Sequence, residues 1–168
     1  SYVLELLKSF KNEYLDKGQI PRFELNSFEL KLFNTFRSHI PKTYFPRNFT
    51  KHTDDRGSFV EIIRASSAGQ SSYSTTVPGI TRGDHYHTRK IERFAVISGK
   101  ASIKLRKVNS DEVIEYTLDG KIPSYVDMPV WYTHNITNIG NSELITIFWI
   151  NEPYNEEDSD TYFMKVNA

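Results

Sequence analysis

The residues best suited to chemistry lie in one segment, GITRGDHYHTRKIERFAVISGK, residues 79–100. His85 and His87 are one residue apart, and Glu92 follows five residues later. Residues two apart on a strand point to the same face, so both imidazoles project together. A third imidazole, His134, begins another strand-like run. Three imidazoles and a carboxylate suit a divalent transition metal such as Zn, Fe, Ni or Mn, and we predict a metal site of these four residues, with zinc the favoured ion.

Composition narrows the classes of protein that could carry such a site. The 168 residues suffice for one domain with a sizeable core, and the formal net charge is zero, which argues against a nucleic-acid or anionic-membrane binder. The lack of cysteine excludes disulfides and thiolate ligands and favours the cytoplasm. No apolar run approaches the roughly 18 residues of a membrane span. Because the sequence opens at Ser1 without an initiator methionine, we expect a fragment of a longer protein.

Two regions of different periodicity must position the site. Residues 1–41 are predicted to form a pair of helices, with Gly18 as a stop signal between them. The second helix is predicted to begin at Asn26, which fits a capping box with Glu29. Residues 48–168 are predicted to form a β domain. Its strand-like runs are 59–64, 71–77, 91–98, 101–108, 112–118, 124–128, 133–138 and 144–151.

Two connecting segments of the β region have simple interpretations. Gly99-Lys100 separates two strand-like runs and is interpreted as a hairpin turn. The acidic stretch 152–160 (EPYNEEDSD) is interpreted as a solvated loop. Many short strands with regular turns predict a mainly β sandwich or barrel, preceded by the helical pair.

The segment 79–100 resembles the first cupin motif, and its anchors are Gly79, His85, His87, Glu92 and Gly99. PVWYTHNITN resembles the second motif, and Trp131 stands there in place of the usual glycine. The anchors of the second motif are Pro129, His134 and Asn138. The resemblance implies a double-stranded jelly-roll barrel in which His85, His87, Glu92 and His134 bind the metal.

DDRGSFVEI, residues 54–62, resembles an element of the deoxysugar-nucleotide 3,5-epimerases, which are also cupins. That resemblance implies that Arg56 grips a diphosphate bidentately and that Glu61 hydrogen-bonds sugar or base hydroxyls. Arg106, in a basic run on one strand, is a second candidate for contact with phosphate.

Nearly the whole chain resembles the C-terminal part of the bifunctional capsular-polysaccharide enzymes of the CapF/WbjC type, including the segments LLKSFKNEYLDKGQIP and DTYFMKV. This resemblance implies that residues 1–41 are the tail of an upstream reductase domain. It also implies that the cupin epimerises C3 of a UDP-linked 4-keto-6-deoxy-N-acetylhexosamine, after which the reductase domain reduces the C4 ketone with NADPH. The chain lacks the G-x-x-G-x-x-G fingerprint, so NADPH would belong to the reductase domain alone.

The catalytic base is left open by the sequence. If His85 holds a metal, its lone pair is occupied, and Tyr132, Glu61, Lys100 and His52 become the candidates. In metal-free 3,5-epimerases the position matching His85 supplies the base, so a metal-free enzyme with His85 backed by Asp84 or Glu152 is an alternative.

Two further alternatives are another metallo-cupin enzyme, such as a dioxygenase or a sugar isomerase, and a non-catalytic sugar-binding or dimerisation module. A homodimer is expected, with a UDP-sugar as the small-molecule partner and without nucleic acid or membrane insertion.

Overall fold

The computed structural model describes residues 1–65, 69–122 and 124–167. Residues 66–68, 123 and 168 of the predicted β domain lie outside the described residues. Within the described ranges, two α-helices precede eleven strands, and the strands form two antiparallel sheets. The predicted mainly β jelly roll with an N-terminal helical pair is therefore confirmed.

Most strands are paired with strands that are not adjacent to them in the sequence. The six-stranded sheet has the order β1-β2-β3-β10-β5-β8, and the five-stranded sheet has the order β11-β4-β9-β6-β7. Their bounds are β1 Lys51–Asp54, β2 Gly57–Ala65, β3 Gly69–Thr76, β4 Thr81–Tyr86, β5 Glu92–Ser98, β6 Lys100–Lys107, β7 Val113–Asp119, β8 Ser124–Met128, β9 Tyr132–Asn138, β10 Leu144–Ile150 and β11 Tyr162–Phe163. Each of the eight predicted runs matches a strand to within two residues at either end, whereas β1, β4 and β11 are not among those runs.

The apolar core is formed by side chains from both sheets. On β6, Ala101, Ile103 and Leu105 are buried while Lys104 and Arg106 are less so, as the two-residue period of a strand requires. The buried apolar cluster consists of Phe94, Val96, Ala101, Ile103, Leu105, Leu118, Met128, Ile136 and Leu144. Burying one such aliphatic or aromatic side chain stabilises the fold by roughly 1.5–3 kcal/mol, so this cluster fixes how the sheets face each other.

The chain crosses from one sheet to the other at Gly99, and the hairpin predicted there is wrong. β5 pairs with β10 and β8, whereas β6 pairs with β7 and β9. Gly99 has φ +85°, and a Cβ there would lie 2.9 Å from the Cα of Leu144. The glycine is needed for a tight corner between two sheets. Glycine is also common in hairpin turns, so the residue type alone does not distinguish a hairpin from a crossing between sheets.

The helical segment consists of α1 (Tyr2–Phe10), a π-helical turn (Lys11–Asp16), α2 (Phe28–Ser38) and a 3₁₀ turn (Lys42–Tyr44). Its packing is aromatic, centred on Phe10 and Phe33, whose ring centroids are 5.1 Å apart. Within the described ranges, no helix is both long and apolar enough to cross a membrane.

The cap of α2 is Ser27 and not the predicted Asn26. The hydroxyl of Ser27 accepts a hydrogen bond from the Leu30 amide at 3.1 Å. Asn26 lies one residue earlier with φ +63°, and Glu29 contacts the hydroxyl of Tyr2 instead of closing a capping box. Both Asn and Ser are good caps, so composition alone does not choose between adjacent positions.

Candidate metal centre

Both sheets contribute to the cluster of three histidines and one glutamate. His85 on β4 lies directly opposite His134 on β9 in the five-stranded sheet. His87 follows one residue beyond the end of β4, and Glu92 begins β5 in the six-stranded sheet. A cation bound by all four residues would therefore tie the two sheets together.

The strand pattern that builds the core also aims Glu92 inward. Glu92, Phe94 and Val96 alternate along β5 and are all buried, so the carboxylate occupies the next inward position beyond the apolar cluster. On β4 a bulge shifts the register between Gly83 and His85. Such bulges re-aim side chains, and this one directs His85 into the barrel.

The bulge is held by Asp84, which has φ +60°. One carboxylate oxygen of Asp84 accepts hydrogen bonds from the side-chain amide of Asn135 at 2.9 Å and from the backbone N–H of Val166 at 3.1 Å. Asp84 therefore fixes the backbone just before His85 and links it to the C-terminal segment.

The candidate ligand atoms converge. One ligand atom from each of His85, His87, Glu92 and His134 lies within 4.8 Å of every other. Oε2 of Glu92 is 3.0 Å from Nε2 of His87 and 3.2 Å from Nε2 of His134. Ligand atoms about 2.1 Å from one ion are separated by roughly 3.0–3.4 Å at octahedral or tetrahedral angles, so these separations suit a shared cation.

The hydrogen bonding of three of these atoms supports the same interpretation. Nε2 of His87, Nε2 of His134 and Oε2 of Glu92 are buried, and none has a hydrogen bond of normal geometry with any part of the chain that the structure describes. Buried polar atoms without partners cost free energy, and such atoms call for an explanation. A divalent cation at their common point would satisfy all three, so the residues fit a metal.

Backbone carbonyls select the imidazole tautomer that binds metal. Nδ1 of His87 contacts the carbonyl oxygen of Asp160, and Nδ1 of His134 lies 3.2 Å from the carbonyl oxygen of Tyr132. A carbonyl only accepts, so each Nδ1 carries a proton, and in the neutral imidazole each Nε2 keeps its lone pair. This is the usual orientation of a metal-binding histidine.

Burial and charge pairing set the protonation states in the protein alone. Burial, and then the neighbouring His134, lower the pKa of His85 to about 4. Burial opposes the charged imidazole of His87, but Glu92 outweighs burial and raises the pKa of His87. Burial also opposes ionisation of Glu92, yet His134 and His87 lower its pKa. Glu92 is therefore an anion and His85 is neutral near pH 7, the forms that bind a cation.

A cavity of about 180 Å³ opens onto His85 and Glu92. Its walls include Phe59, Arg82 and Phe148. His87 and His134 lie behind, only 4% and 1% exposed. Catalytic metal sites keep one position open to substrate, whereas structural sites are closed, so the cavity favours a catalytic role.

Trp131 is the one departure from the second cupin motif. It has φ +63°, a left-handed conformation that glycine adopts readily, so the turn is kept despite the substitution. The backbone N–H of Trp131 donates to the carbonyl oxygen of His87 at 2.8 Å, and the indole ring of Trp131 stacks on the ring of Tyr86. These contacts help to hold a non-glycine residue in this conformation and join the two motifs.

Of the predicted catalytic residues, Tyr132 lies on the strand that carries His134 and Glu61 lies in an adjoining groove, and neither lines the cavity at His85. Tyr132 precedes His134 by two residues on the same strand face and packs against the apolar cluster. Glu61 lies in a neighbouring groove of about 660 Å³, paired with Arg64 at 2.9 Å through both carboxylate oxygens. The predicted base candidate His52 lines the same groove.

Lys100 and Arg106 lie elsewhere. In the β6–β9 register Leu105 is opposite His134, so Lys100 is five residues away, roughly 16 Å along the strand. Arg106 donates to the carbonyl oxygens of Ser110, Lys165 and Val166. Arg106 thus holds the C-terminal segment, and neither residue is brought to the cavity.

Arg56 occupies the β1–β2 turn. Its backbone N–H and its guanidinium both donate to the carboxylate of Asp54, and the ion pair is substantially exposed. Arg56 is also close enough to Arg82 for its charge to lower the pKa of Arg82. Arg56 is not among the residues that line the cavity.

Sequence reasoning missed Arg82 and Asp160. Arg82 is half-buried and lines the cavity; a cation three residues before the HxH pair was the available signal. Asp160 is buried beside His87, but it stands in the stretch interpreted as a solvated loop. Only its position in space distinguishes it from the acids around it.

Known proteins resemble this chain in sequence. Residues 52–162 match the family model of the polysaccharide biosynthesis C-terminal domain. The chain is 37% identical over 135 residues to the UDP-2-acetamido-2,6-beta-L-arabino-hexul-4-ose reductase of Pseudomonas aeruginosa, covering 80% of this chain and 36% of the relative. It is 27% identical over 124 residues to the spore coat polysaccharide biosynthesis protein SpsL of Bacillus subtilis, covering 68% of this chain and 82% of that protein.

Among solved structures, the capsular polysaccharide assembling protein CapF of Staphylococcus aureus is 44% identical with a TM-score of 0.85, covering 97% of this chain and 44% of that one. CapF with the inhibitor 3-isopropenyl-tropolone is 43% identical with a TM-score of 0.86, covering 98% and 48%. The chain thus spans less than half the length of the reductase and of CapF. It belongs to the family of the polysaccharide biosynthesis C-terminal domain.

Proposed function

We propose that this domain catalyses metal-dependent epimerisation at C3 of a UDP-linked 4-keto-6-deoxy-N-acetylhexosamine in the synthesis of a capsular polysaccharide precursor. The observation that carries the proposal is the convergence of His85, His87, Glu92 and His134 at the floor of an open cavity. The similarity to CapF and to a UDP-sugar reductase supports the substrate class.

The chemistry requires removal of a proton next to a ketone. The C3 proton passes to a base on one face of the sugar, the electron pair of the C3–H bond moves toward the C4 carbonyl to give an enolate, and water or a second acid returns a proton to the opposite face of C3. A divalent cation held by the four ligands would act as a Lewis acid on the carbonyl oxygen. The protein must then exclude water, orient the sugar and supply the proton-transfer group.

Two adjoining cavities offer room for the two halves of the substrate. The cavity of about 180 Å³ at His85 would hold the ketosugar, and the groove of about 660 Å³ would hold the nucleotide. The two share Phe59 and Ile150 in their walls. The larger volume falls in the roughly 300–1,000 Å³ range of ligand pockets, and Glu61, Arg64 and Tyr154 there can contact base, ribose or phosphate.

The function is tested by solvent exchange at C3. In D₂O, the zinc-loaded protein should place deuterium at C3 of the UDP-4-keto-6-deoxy-N-acetylhexosamine, detected by proton NMR. A chelator should stop the exchange, and added Zn²⁺ should restore it. Binding of 3-isopropenyl-tropolone, whose vicinal oxygens chelate cations, should show the same metal dependence. A metal-loaded, folded protein that never exchanges C3 would contradict the epimerase proposal, and oxygen uptake with iron would favour a dioxygenase.

None of the four candidate bases lines the cavity at His85. We propose Tyr132 because it is half-buried and lies on the same face of β9 as the candidate ligand His134. Tyr132→Phe removes only the hydroxyl, so C3 exchange should fall by roughly 10²–10⁴-fold while zinc binding is unchanged. Tyr116→Phe, on an exposed edge strand, is the matched control. Unchanged exchange in Tyr132→Phe would return the role to Glu61 or His52.

The metal-free alternative with His85 as base has weaker support. Its two candidate carboxylates are engaged elsewhere: Asp84 with Asn135 and Val166, and Glu152 with Arg89 at 3.0 Å. Exchange that survives complete removal of metal would nevertheless favour it.

Arg82 is proposed to provide the positive charge of the cavity. Burial, and then repulsion from Arg56, lower the pKa of Arg82, but an arginine stays cationic at neutral pH. Within the described chain the guanidinium makes one hydrogen bond, from Nη1 to the carbonyl of Thr75 at 3.0 Å. Its remaining donors can bind a phosphate or a sugar oxygen.

Replacing Arg82 with methionine should therefore lower kcat/KM for C3 exchange by roughly 10²-fold, because a charged hydrogen bond to the substrate is lost. Arg56→Met should change it only a few-fold, since that guanidinium is exposed and already paired with Asp54. The measurement is kcat/KM for C3 exchange, compared between the two variants and the unmodified protein. A large loss in Arg56→Met alone would place the diphosphate at the β1–β2 turn.

Three wider expectations belong to the same proposal. Residues 1–41 would belong to a reductase domain that reduces the C4 ketone with NADPH in the whole enzyme. The apolar surface of the helical pair, including Leu7, Leu32 and Phe36, would pack against it. The domain would also form a homodimer, which sedimentation at micromolar concentration tests.

A further inference from the structure

Asp160 joins the acidic segment near the end of the chain to the loop between two candidate metal ligands. Its carboxylate accepts hydrogen bonds from the backbone N–H groups of Thr88, Arg89 and Lys90 at 3.1, 3.0 and 3.0 Å. It also accepts one from Oγ1 of Thr88 at 2.6 Å. Four donors use about the full acceptor capacity of a carboxylate. These hydrogen bonds offset the free-energy cost of burying the charge of Asp160, which is only 4% exposed.

The backbone of the same residue orients a ligand. The carbonyl oxygen of Asp160 accepts the hydrogen bond from Nδ1 of His87. Asp160 has φ +41°, a conformation that non-glycine residues seldom adopt. The four bonds to its carboxylate hold the residue there, and so they fix the direction in which its carbonyl points.

The bonded loop leads directly to the second ligand. Residues 88–91 connect His87 to Glu92, and the amides of the first three all point to the one carboxylate. Nζ of Lys90, a residue only 3% exposed, donates to the carbonyl of Ser159 and strengthens the same junction. Thus one buried side chain determines the path between His87 and Glu92.

We propose that Asp160 is a positioning residue of the metal centre. It holds His87 and the loop that carries Glu92 in the geometry that binds the cation, so docking of the C-terminal segment is a condition of full metal affinity. The inference rests on the metal centre of the proposed function. It is independent of the reaction, since the hydrogen bonds concern the ligands and not the sugar.

The test is metal affinity in four forms of the full chain: the unmodified protein, Asp160→Ala, Asp160→Asn and Asp158→Ala. Zn²⁺ affinity is measured by chelator competition, and ligand geometry by the visible spectrum of the Co²⁺-loaded protein. Asp158 is the matched control, because it lies in the same segment but forms an exposed ion pair with Arg89.

Asp160→Ala should bind Zn²⁺ roughly 10–100-fold more weakly, the usual effect of losing a group that orients a ligand. Its Co²⁺ bands should shift because His87 is no longer held. Asn at position 160 keeps one acceptor oxygen and tolerates positive φ. Asp160→Asn should therefore recover part of the Zn²⁺ affinity and part of the normal Co²⁺ spectrum. Asp158→Ala should match the unmodified protein.

A folded Asp160→Ala with unchanged affinity and spectrum would overturn the inference. If Asp160→Ala does not fold, Asp160→Asn and Thr88→Val provide the test, since each removes only part of the hydrogen-bond network. Unchanged Zn²⁺ affinity in both variants would also overturn the inference. If the unmodified protein binds neither Zn²⁺ nor Co²⁺, the metal centre itself is refuted, and the inference falls with it. Metal binding that is insensitive to Asp160 refutes the inference alone.

Discussion

Replacing His134 with glutamine is expected to weaken Zn²⁺ binding by at least ~100-fold and to reduce C3 exchange by roughly 10³-fold or more. His134 is 1% exposed, and its Nε2 lies 3.2 Å from Oε2 of Glu92. The Nδ1 contact with the carbonyl of Tyr132 keeps the Nε2 lone pair directed at the cluster. Glutamine has nearly the same length but offers a much poorer ligand. Metal content after dialysis and the exchange assay measure the two effects.

The matched control is His39→Gln. His39 is an exposed residue at the C-cap of α2, and its replacement should leave both quantities unchanged. A circular dichroism spectrum must show that His134→Gln is folded, because the buried Glu92 carboxylate then loses one of the two imidazoles next to it. A folded His134→Gln with normal zinc content would remove His134 from the centre and leave a three-ligand site.

The cluster of ligands could be predicted because its signal is local and repeated. His85 and His87 share a short segment with Glu92, and an alternating strand pattern carries Glu92 and His134 to inward positions. What brings the two segments together is the β4–β9 pairing and the crossing at Gly99. The cupin resemblance supplied that topology, which strand periodicity alone does not determine.

The parts that could not be predicted depend on the path of the chain in space. Asp160 is 73 residues from His87 in sequence and stands among acids that remain on the surface. Its burial follows from the position of three backbone amides, which no composition reveals. Arg106 is the converse case. Its charge suggested a phosphate ligand, but its guanidinium donates to backbone carbonyl oxygens.

The sequence analysis placed His85 and His87 on a strand, but the full extent of β4 was not among the predicted runs, for a related reason. β4 contains Gly83 and Asp84, which are typical turn residues, yet here they form a bulge inside a strand. The bulge serves the centre, since it turns His85 inward. Local propensity and tertiary structure therefore disagree at a place where the proposed function requires the unusual backbone.

Gly83→Ala is expected to lower the free energy of unfolding by about 3 kcal/mol or more and to weaken Zn²⁺ binding at least ~10-fold. Gly83 has φ +105°, and an added Cβ would lie 2.8 Å from the carbonyl oxygen of His134 and 3.0 Å from the Cα of Asn135. Both obstacles are backbone atoms, so they cannot move aside without separating β4 from β9. That separation would draw His85 away from His134. Urea unfolding and chelator competition measure the two losses.

Gly79→Ala separates close packing from backbone strain. Gly79 has φ +79°, but no heavy atom of the described residues lies within 4 Å of the position that an added Cβ would take. Its substitution should cost only the conformational penalty, about 1–2 kcal/mol, and leave zinc affinity unchanged. If Gly79→Ala destabilises the protein as much as Gly83→Ala, strain alone explains the loss. If Gly83→Ala instead binds zinc normally, the close approach of β4 and β9 is not what holds His85 and His134 together.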